Sequence, residues 1–143
     1  MPKFAGILEE LIFESGKDNK TVAAELGISA SCLTDYLKHD VLPSASNLIK
    51  IADYFNRSTD FLLGREEDDK ALTFKICPPF FERLEFLKKQ YNCTSYKIYT
   101  QTEITKSRFY DWKNGKRVPT VENIIKLAEF FDCRVDYILG RES

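Results

Sequence analysis

DFLLGRE, residues 60–66, and DYILGRE, residues 136–142, are one seven-residue phrase written twice in a chain of 143 residues. The offset between them is 136 − 60 = 76 residues. Carried upstream without a gap, it lays Phe4 on Phe80, Leu8 on Leu84 and Leu11 on Leu87. Ile28 falls on Ile104, Ser31 on Ser107, Asp35 on Asp111, Pro43 on Pro119 and Asn47 on Asn123. LIKIADYF (48–55) then lies on IIKLAEFF (124–131). A single ungapped offset over residues 4–66 and 80–142 marks two copies of one unit, because a chance motif does not bring its upstream context with it. Each copy is 63 residues long, enough for a tight helical core.

Within a copy the apolar spacing is helical. Phe4, Ile7, Leu8, Leu11 and Ile12 recur at the three-to-four spacing of one buried stripe. The matching helix follows Pro78-Pro79 and carries Phe80, Phe81, Leu84 and Leu87. Asp18 can cap a second helix over 19–26, Gly27 permits a sharp turn, and Ile28 follows as an apolar plug. Ser29 can cap a third helix over 30–38. Pro43-Ser44 and Pro119-Thr120 open a fourth, burying Leu48, Ile51, Ala52 and Phe55, or Ile124, Leu127, Ala128 and Phe131. The repeated phrase becomes a short fifth helix, capped by Ser58 or Thr59 in the first copy and stopped by Gly64 or Gly140. No strand pattern stands out inside either copy.

Between the copies runs REEDDKALTFKICPP, 65–79. LTFKI (72–76) alternates apolar and polar residues. It reads either as an extended linker docked on one domain or as a strand that pairs with another chain. The expected domains are 1–66, a linker over 67–78, and 79–143.

Composition narrows the class. The apolar fraction of 43% and charged fraction of 30% are those of a globular protein. No apolar run approaches a membrane span, and Glu9, Glu10 and Glu14 in the first helix argue against a secretory signal, so no membrane partner and a cytoplasmic location are expected. Cys32, Cys77, Cys93 and Cys133 have no CxxC spacing and read as reduced thiols; with His39 the only histidine, no metal and no cofactor are expected. One histidine, no P-loop and no GxGxxG leave no catalytic constellation, so an enzyme is not expected. The net charge of −1 conceals an asymmetry: residues 1–70 hold 8 Lys/Arg and 13 Asp/Glu (8 − 13 = −5), residues 71–143 hold 13 and 9 (13 − 9 = +4). The two copies should therefore meet different partners.

LGISASCLTDYL (26–37) in the first copy and TEITKSRFYDWKNGKRVPT (102–120) in the second follow a pattern of helix, turn, apolar residue, Ser/Thr cap and second helix. With WKNGKRVPT (112–120) and the endings TDFLLG and VDYILG, both copies resemble the helix-turn-helix domain of the lambda repressor–Cro (XRE-type) regulator superfamily. The resemblance covers nearly the whole chain apart from the linker. It implies an all-α fold of two tandem five-helix repressor-like domains joined by a short linker. It also implies a transcriptional regulator, acting as a repressor, whose partner is double-stranded DNA. In Glu103 the second copy departs from the glycine usual at the turn, so that residue must avoid a positive φ or accept its strain.

The resemblance further implies which side chains meet DNA. In such domains the second helix of the motif lies in the major groove and flanking groups hold phosphate. Lys106, Ser107 and Asp111 match base-reading positions, with Tyr110 close by; Lys106 suits guanine and Asp111 cytosine. Arg108 belongs at the rim of the groove, Lys116 and Arg117 match backbone-contacting positions, and Thr105 caps the helix. The first copy offers Ser31, Thr34, Lys38 and His39 as secondary candidates, but places Cys32 where the second has Arg108, and His39-Asp40-Val41 where the second has Gly115-Lys116-Arg117. Trp112 and Tyr36 read as core, and Tyr91, Tyr96 and Tyr99 as packing around the first two helices of the second copy. Family members also pair through their C-terminal region, which makes a homodimer through the fifth helices or the linker a candidate, with Phe61, Leu62, Tyr137 and Ile138 as contacts. The competing reading is a protein-interaction module, antitoxin-like or an anti-repressor, in which the acidic first copy binds another protein.

Overall fold

The computed structural model describes residues 3–67 and 73–142, and among these it contains ten helices and no strand. The chain divides into two compact units, Met1–Leu72 and Thr73–Ser143. The first contains α1 (Phe4–Ser15), α2 (Asn19–Leu26), α3 (Ala30–Lys38), α4 (Ala45–Phe55) and α5 (Thr59–Leu62). The second contains α6 (Phe80–Gln90), α7 (Ser95–Gln101), α8 (Lys106–Lys113), α9 (Val121–Phe131) and α10 (Val135–Leu139).

All but α1, α6 and α10 begin where a short polar side chain accepts a hydrogen bond from a free amide of the first turn. Asp18 accepts from the Thr21 amide, Ser29 from Cys32, Ser44 from Asn47 and Ser58 from Phe61. Thr94, Thr105 and Thr120 do the same in the second unit for Lys97, Arg108 and Asn123. In α5 the cap is Ser58 rather than Thr59, which is fully buried. The ends of α4 and α9 also match across the repeat: Asn56 and Asp132 both take the left-handed conformation, each at φ 53°.

Within the first unit α1 packs on α3 and α5, α2 on α3 and α4, and α4 on α5. In the second, α6 packs on α8 and α10, α7 on α8, and α9 on α10. The cores agree residue by residue. Leu8 and Leu84, Leu48 and Ile124, and Ile51 and Leu127 are all completely buried. Phe4 meets Tyr36 edge-on at 5.9 Å, and at the same offset Phe80 meets Trp112 at 6.0 Å. Phe81, expected in the buried stripe of α6, is instead 43% exposed, because its ring lies against the loop after α8.

The segment before α6 belongs to the second unit. The Lys75 amide donates to the Arg141 carbonyl at 2.8 Å, and the Phe74 ring lies under the Arg141 guanidinium at 4.0 Å. Residues 73–79 form neither helix nor strand; Leu72, the first residue of the alternating stretch, lies outside the described residues.

The repeated phrase holds a buried ion pair. Arg141 Nη1 donates to Asp136 Oδ1 at 2.7 Å, and both side chains are fully buried. The first copy repeats it with Arg65 Nε and Asp60 Oδ1 at 3.0 Å, where the Arg65 side chain stays 26% exposed. Each pair folds the residue after the terminal glycine back onto the start of its helix. Around it, Ser58 donates to Glu66 at 2.6 Å in the first copy, and Arg134 pairs with Glu142 in the second.

Candidate nucleic-acid interface

In both units the second and third helices form the helix-turn-helix, and the turns differ in strain. Gly27 sits at φ 75° with a half-buried Ile28 behind it. Glu103 occupies the same place at φ 61°, with Ile104 buried. The second copy thus adopts the tight turn with a side chain that disfavours it, at a cost of about 1–2 kcal/mol.

On α8, Phe109 and Trp112 face the core, and the opposite side is left to solvent. Lys106, Ser107, Arg108 and Tyr110 are exposed there, and Asp111 is half-exposed. Thr105 spends its hydroxyl oxygen on the Arg108 amide at 3.3 Å. The loop after the helix folds back onto it: the Lys116 and Arg117 amides both donate to the Asp111 carbonyl, at 2.9 and 3.3 Å. Arg117 Nε comes within 3.8 Å of the Asp111 carboxylate while remaining 78% exposed. Asp111, Lys116 and Arg117 are therefore one cluster at the C-terminal end of α8, and Lys106, Ser107 and Arg108 another at its start.

Gly115 makes that loop possible. It takes φ 76°, and a Cβ there would meet the Phe81 ring at 3.4 Å. Phe81 supports the loop that presents Lys116 and Arg117, a role the periodicity of α6 could not reveal.

The same surface of the first unit is poorer in cations. Ser31 and Thr34 are exposed, but the Ser31 hydroxyl shares a bond of 3.2 Å with Ser29, and Thr34 donates to the Ala30 carbonyl at 2.9 Å. Lys38 ends α3 and His39 caps it through a backbone bond to Asp35. Asp40 then adopts φ 54° and holds Lys3 at 3.3 Å.

The tyrosines correct one expectation. Tyr91 stacks on Phe131 at 4.6 Å, and Tyr99 lies 5.9 Å from Phe109, as packing residues do. Tyr96 meets only the edge of Tyr99, at 5.7 Å, and is 69% exposed on α7, outside the core. The expected pairing surface of the fifth helices is also reduced, since Leu62 and Ile138 are fully buried in their own units. Among the described residues no group of three or more His, Cys, Asp or Glu is placed to hold a metal ion. All four cysteines lie among the described residues, and none of them is in a disulfide. Among the described residues no helix is long and apolar enough to cross a membrane.

Residues 7–62 match a family model described as helix-turn-helix, and residues 81–142 match one described as helix-turn-helix domain. The chain carries, in tandem, two domains of the XRE-type helix-turn-helix family. It is 33% identical over 63 residues to the HTH-type transcriptional regulator ImmR of Bacillus subtilis (strain 168). That alignment covers 44% of this chain and 50% of the relative, so the chain spans about half the length of the regulator it resembles. No solved structure matches it significantly. The family is one of DNA-binding transcription regulators.

Proposed function

We propose that this chain is a sequence-specific DNA-binding transcriptional regulator, a repressor, that reads duplex DNA mainly through α8 of its second unit. One observation carries the reading: positions that match across the repeat in the fold differ systematically in charge on the helix-turn-helix surface. Lys106, Arg108, Lys113, Lys116 and Arg117 stand where the first copy has Ala30, Cys32, Leu37, Asp40 and Val41. Affinity for duplex DNA grows with each cation set against phosphate, and only the second copy supplies several.

In this reading Lys106 and Asp111 meet base edges, with Ser107 and Tyr110 beside them. Arg108, Lys116 and Arg117 hold phosphates, and Thr105 fixes the start of the helix. Ser31, Thr34, Lys38 and His39 give the first copy at most a weak second footprint. Selection of bound duplexes from a random pool tests the assignment. A single half-site is the expected product; two unlike half-sites about 34 Å apart would mean that both copies read. Absence of binding at low salt would overturn the reading, and a reporter gene carrying the selected site should fall in expression when the protein is present.

A second reading has its own observation. In the first unit Ile7, Leu11 and Phe61 line a groove of about 360 Å³, edged by Glu10, Glu14, Glu66, Glu67 and Arg57. A partly apolar, mainly acidic groove favours a protein partner over DNA, so the first copy is a candidate protein-docking domain within a DNA-binding chain. Retention of a partner protein by residues 1–66 lacking DNA affinity would support it.

A further inference from the structure

The second unit carries a row of tyrosines that its fold does not require. Tyr96 on α7 lies edge-on to Tyr99 at 5.7 Å, Tyr99 lies 6.4 Å from Tyr110, and Tyr110 leads onto the exposed side of α8. At the matching positions the first copy has Lys20, Ala23 and Thr34 and builds the same two helices. Ala23 is buried, whereas the larger Tyr99 is only partly covered and holds the other two rings apart. Tyr96 is 69% exposed and Tyr110 36%, a large aromatic surface beside the very helix that carries Lys106 and Ser107. The Lys113 ammonium lies 5.5 Å from the Tyr110 ring, which places a cation at the end of the row.

We propose that this row is a neutral extension of the DNA-binding surface: the Tyr96 hydroxyl donates to a backbone phosphate, Tyr99 is the spacer, and the Tyr110 ring packs on the adjoining deoxyribose. The inference rests on the reading that α8 binds duplex DNA. Tyrosine suits the task because its ring buries apolar sugar surface while its hydroxyl remains free to donate to a phosphate oxygen. Lys20 would meet phosphate as a charge; Tyr96 does so without releasing a counterion. The row therefore adds affinity that salt does not screen away.

That difference makes the proposal testable with a random-sequence duplex, since a phosphate contact is blind to sequence. Binding is followed by fluorescence anisotropy at several salt concentrations for the full chain, Tyr96→Phe, Tyr110→Ala and Lys116→Ala. Tyr96→Phe removes one exposed hydroxyl and leaves the ring, so helicity and melting should match the parent. Its affinity should fall about threefold to tenfold with the slope of log K against log salt unchanged. Tyr110→Ala should behave alike, while Lys116→Ala should flatten the slope by about 0.9. Tyr96→Phe binding within twofold of the parent, or a flattened slope in that variant, would overturn the tyrosine contact. Loss of slope in Lys116→Ala alongside it would leave the DNA reading standing. A parent chain that shows no salt-dependent binding would overturn both.

Discussion

After α3 the first copy continues His39-Asp40-Val41; after α8 the second continues Gly115-Lys116-Arg117. Both loops return to the carbonyl of the aspartate one turn earlier: His39 bonds to Asp35, and Lys116 and Arg117 bond to Asp111. The left-handed residue falls one position earlier in the second copy, from Asp40 at φ 54° to Gly115 at φ 76°, the match of His39, and the loop becomes cationic. Beneath the loops, Phe4 with Tyr36 and Phe80 with Trp112 differ by only 0.1 Å in ring separation. A closely packed core tolerates few changes of volume, while a solvated loop tolerates any side chain its φ and ψ admit. Two copies of one fold can therefore keep a common interior and carry different partners.

The largest test of that common interior is the ion pair of the repeated phrase. Breaking a fully buried pair from one side strands a charge, which costs about 3–5 kcal/mol. Asp136→Ala should destabilise the second unit by that amount. Asp60→Ala should destabilise the first by less, because the Arg65 side chain keeps 26% of its exposure to water while Arg141 keeps none. Trp112 is the sole tryptophan and lies in the second core, so its fluorescence during urea unfolding reports that unit. Equal losses in the two variants would break the idea that the second copy seals its phrase more completely.

The opposite surfaces give the next effect. Alanine at both Lys116 and Arg117 should lower the salt slope of DNA binding by about 1.8, at roughly 0.9 per phosphate. Alanine at Lys38 and His39 should leave it nearly unchanged. If the two double variants lose affinity alike, the ranking of the copies is wrong. Lys106→Ala acts on one base position: selected sites should lose preference there, with about 1–3 kcal/mol of discrimination gone.

The helices and their caps were legible in the sequence because each is a local event: Ser29 three residues before Cys32 is a cap wherever the chain goes. The burial of Asp136 and Arg141 was not. A five-residue helix is too short for its periodicity to show which face is covered, and Arg141 is hidden partly by Phe74, which is far away in sequence. Charged residues are rarely buried, so composition pointed outward as well. Tyr96 misled for the converse reason: a large aromatic suggests packing, and only the neighbouring helices show that its slot lies outside the core. For the DNA-facing side chains, the charge difference could be read from sequence once the offset was fixed, while the support of Gly115 by Phe81 needed the fold.

The turns can sharpen the comparison further. Glu103 and Gly27 share one left-handed position. Glu103→Gly should stabilise the second unit by about 1 kcal/mol or less, the relief of strain being offset by the flexibility that glycine adds to the unfolded chain. The Trp112 transition measures it; a loss of stability would show that the Glu103 side chain makes a contact worth more than the strain.

The smallest expected difference is a pH dependence of α2 that the matching helix α7 lacks. Asp18 caps α2 and its carboxyl is held below its ordinary pKa by hydrogen bonds from Thr21. Glu25 is held low by its hydrogen bond from Lys17, 2.8 Å away, and Lys17 is raised by the same partner, with Tyr54 joining the cluster. The second copy caps α7 with Thr94 and has Cys93, Gln101 and Phe130 in place of the cluster, so nothing there titrates in acid. A carboxylate with a lowered folded pKa stabilises fully above its unfolded value, about 4, and that contribution disappears as pH falls through the folded value. Lys17 has the opposite sign: its contribution is complete below its unfolded value and is lost only in strong alkali. Amide exchange in α2, corrected for its intrinsic rate, should therefore quicken relative to α7 as pH drops below about 4. Both groups are solvent-exposed, so the effect is small and should shrink with salt. Asp18→Thr, which copies the cap of the second unit, should remove most of it; persistence of the full effect in that variant would assign it to Glu25 and Lys17 instead.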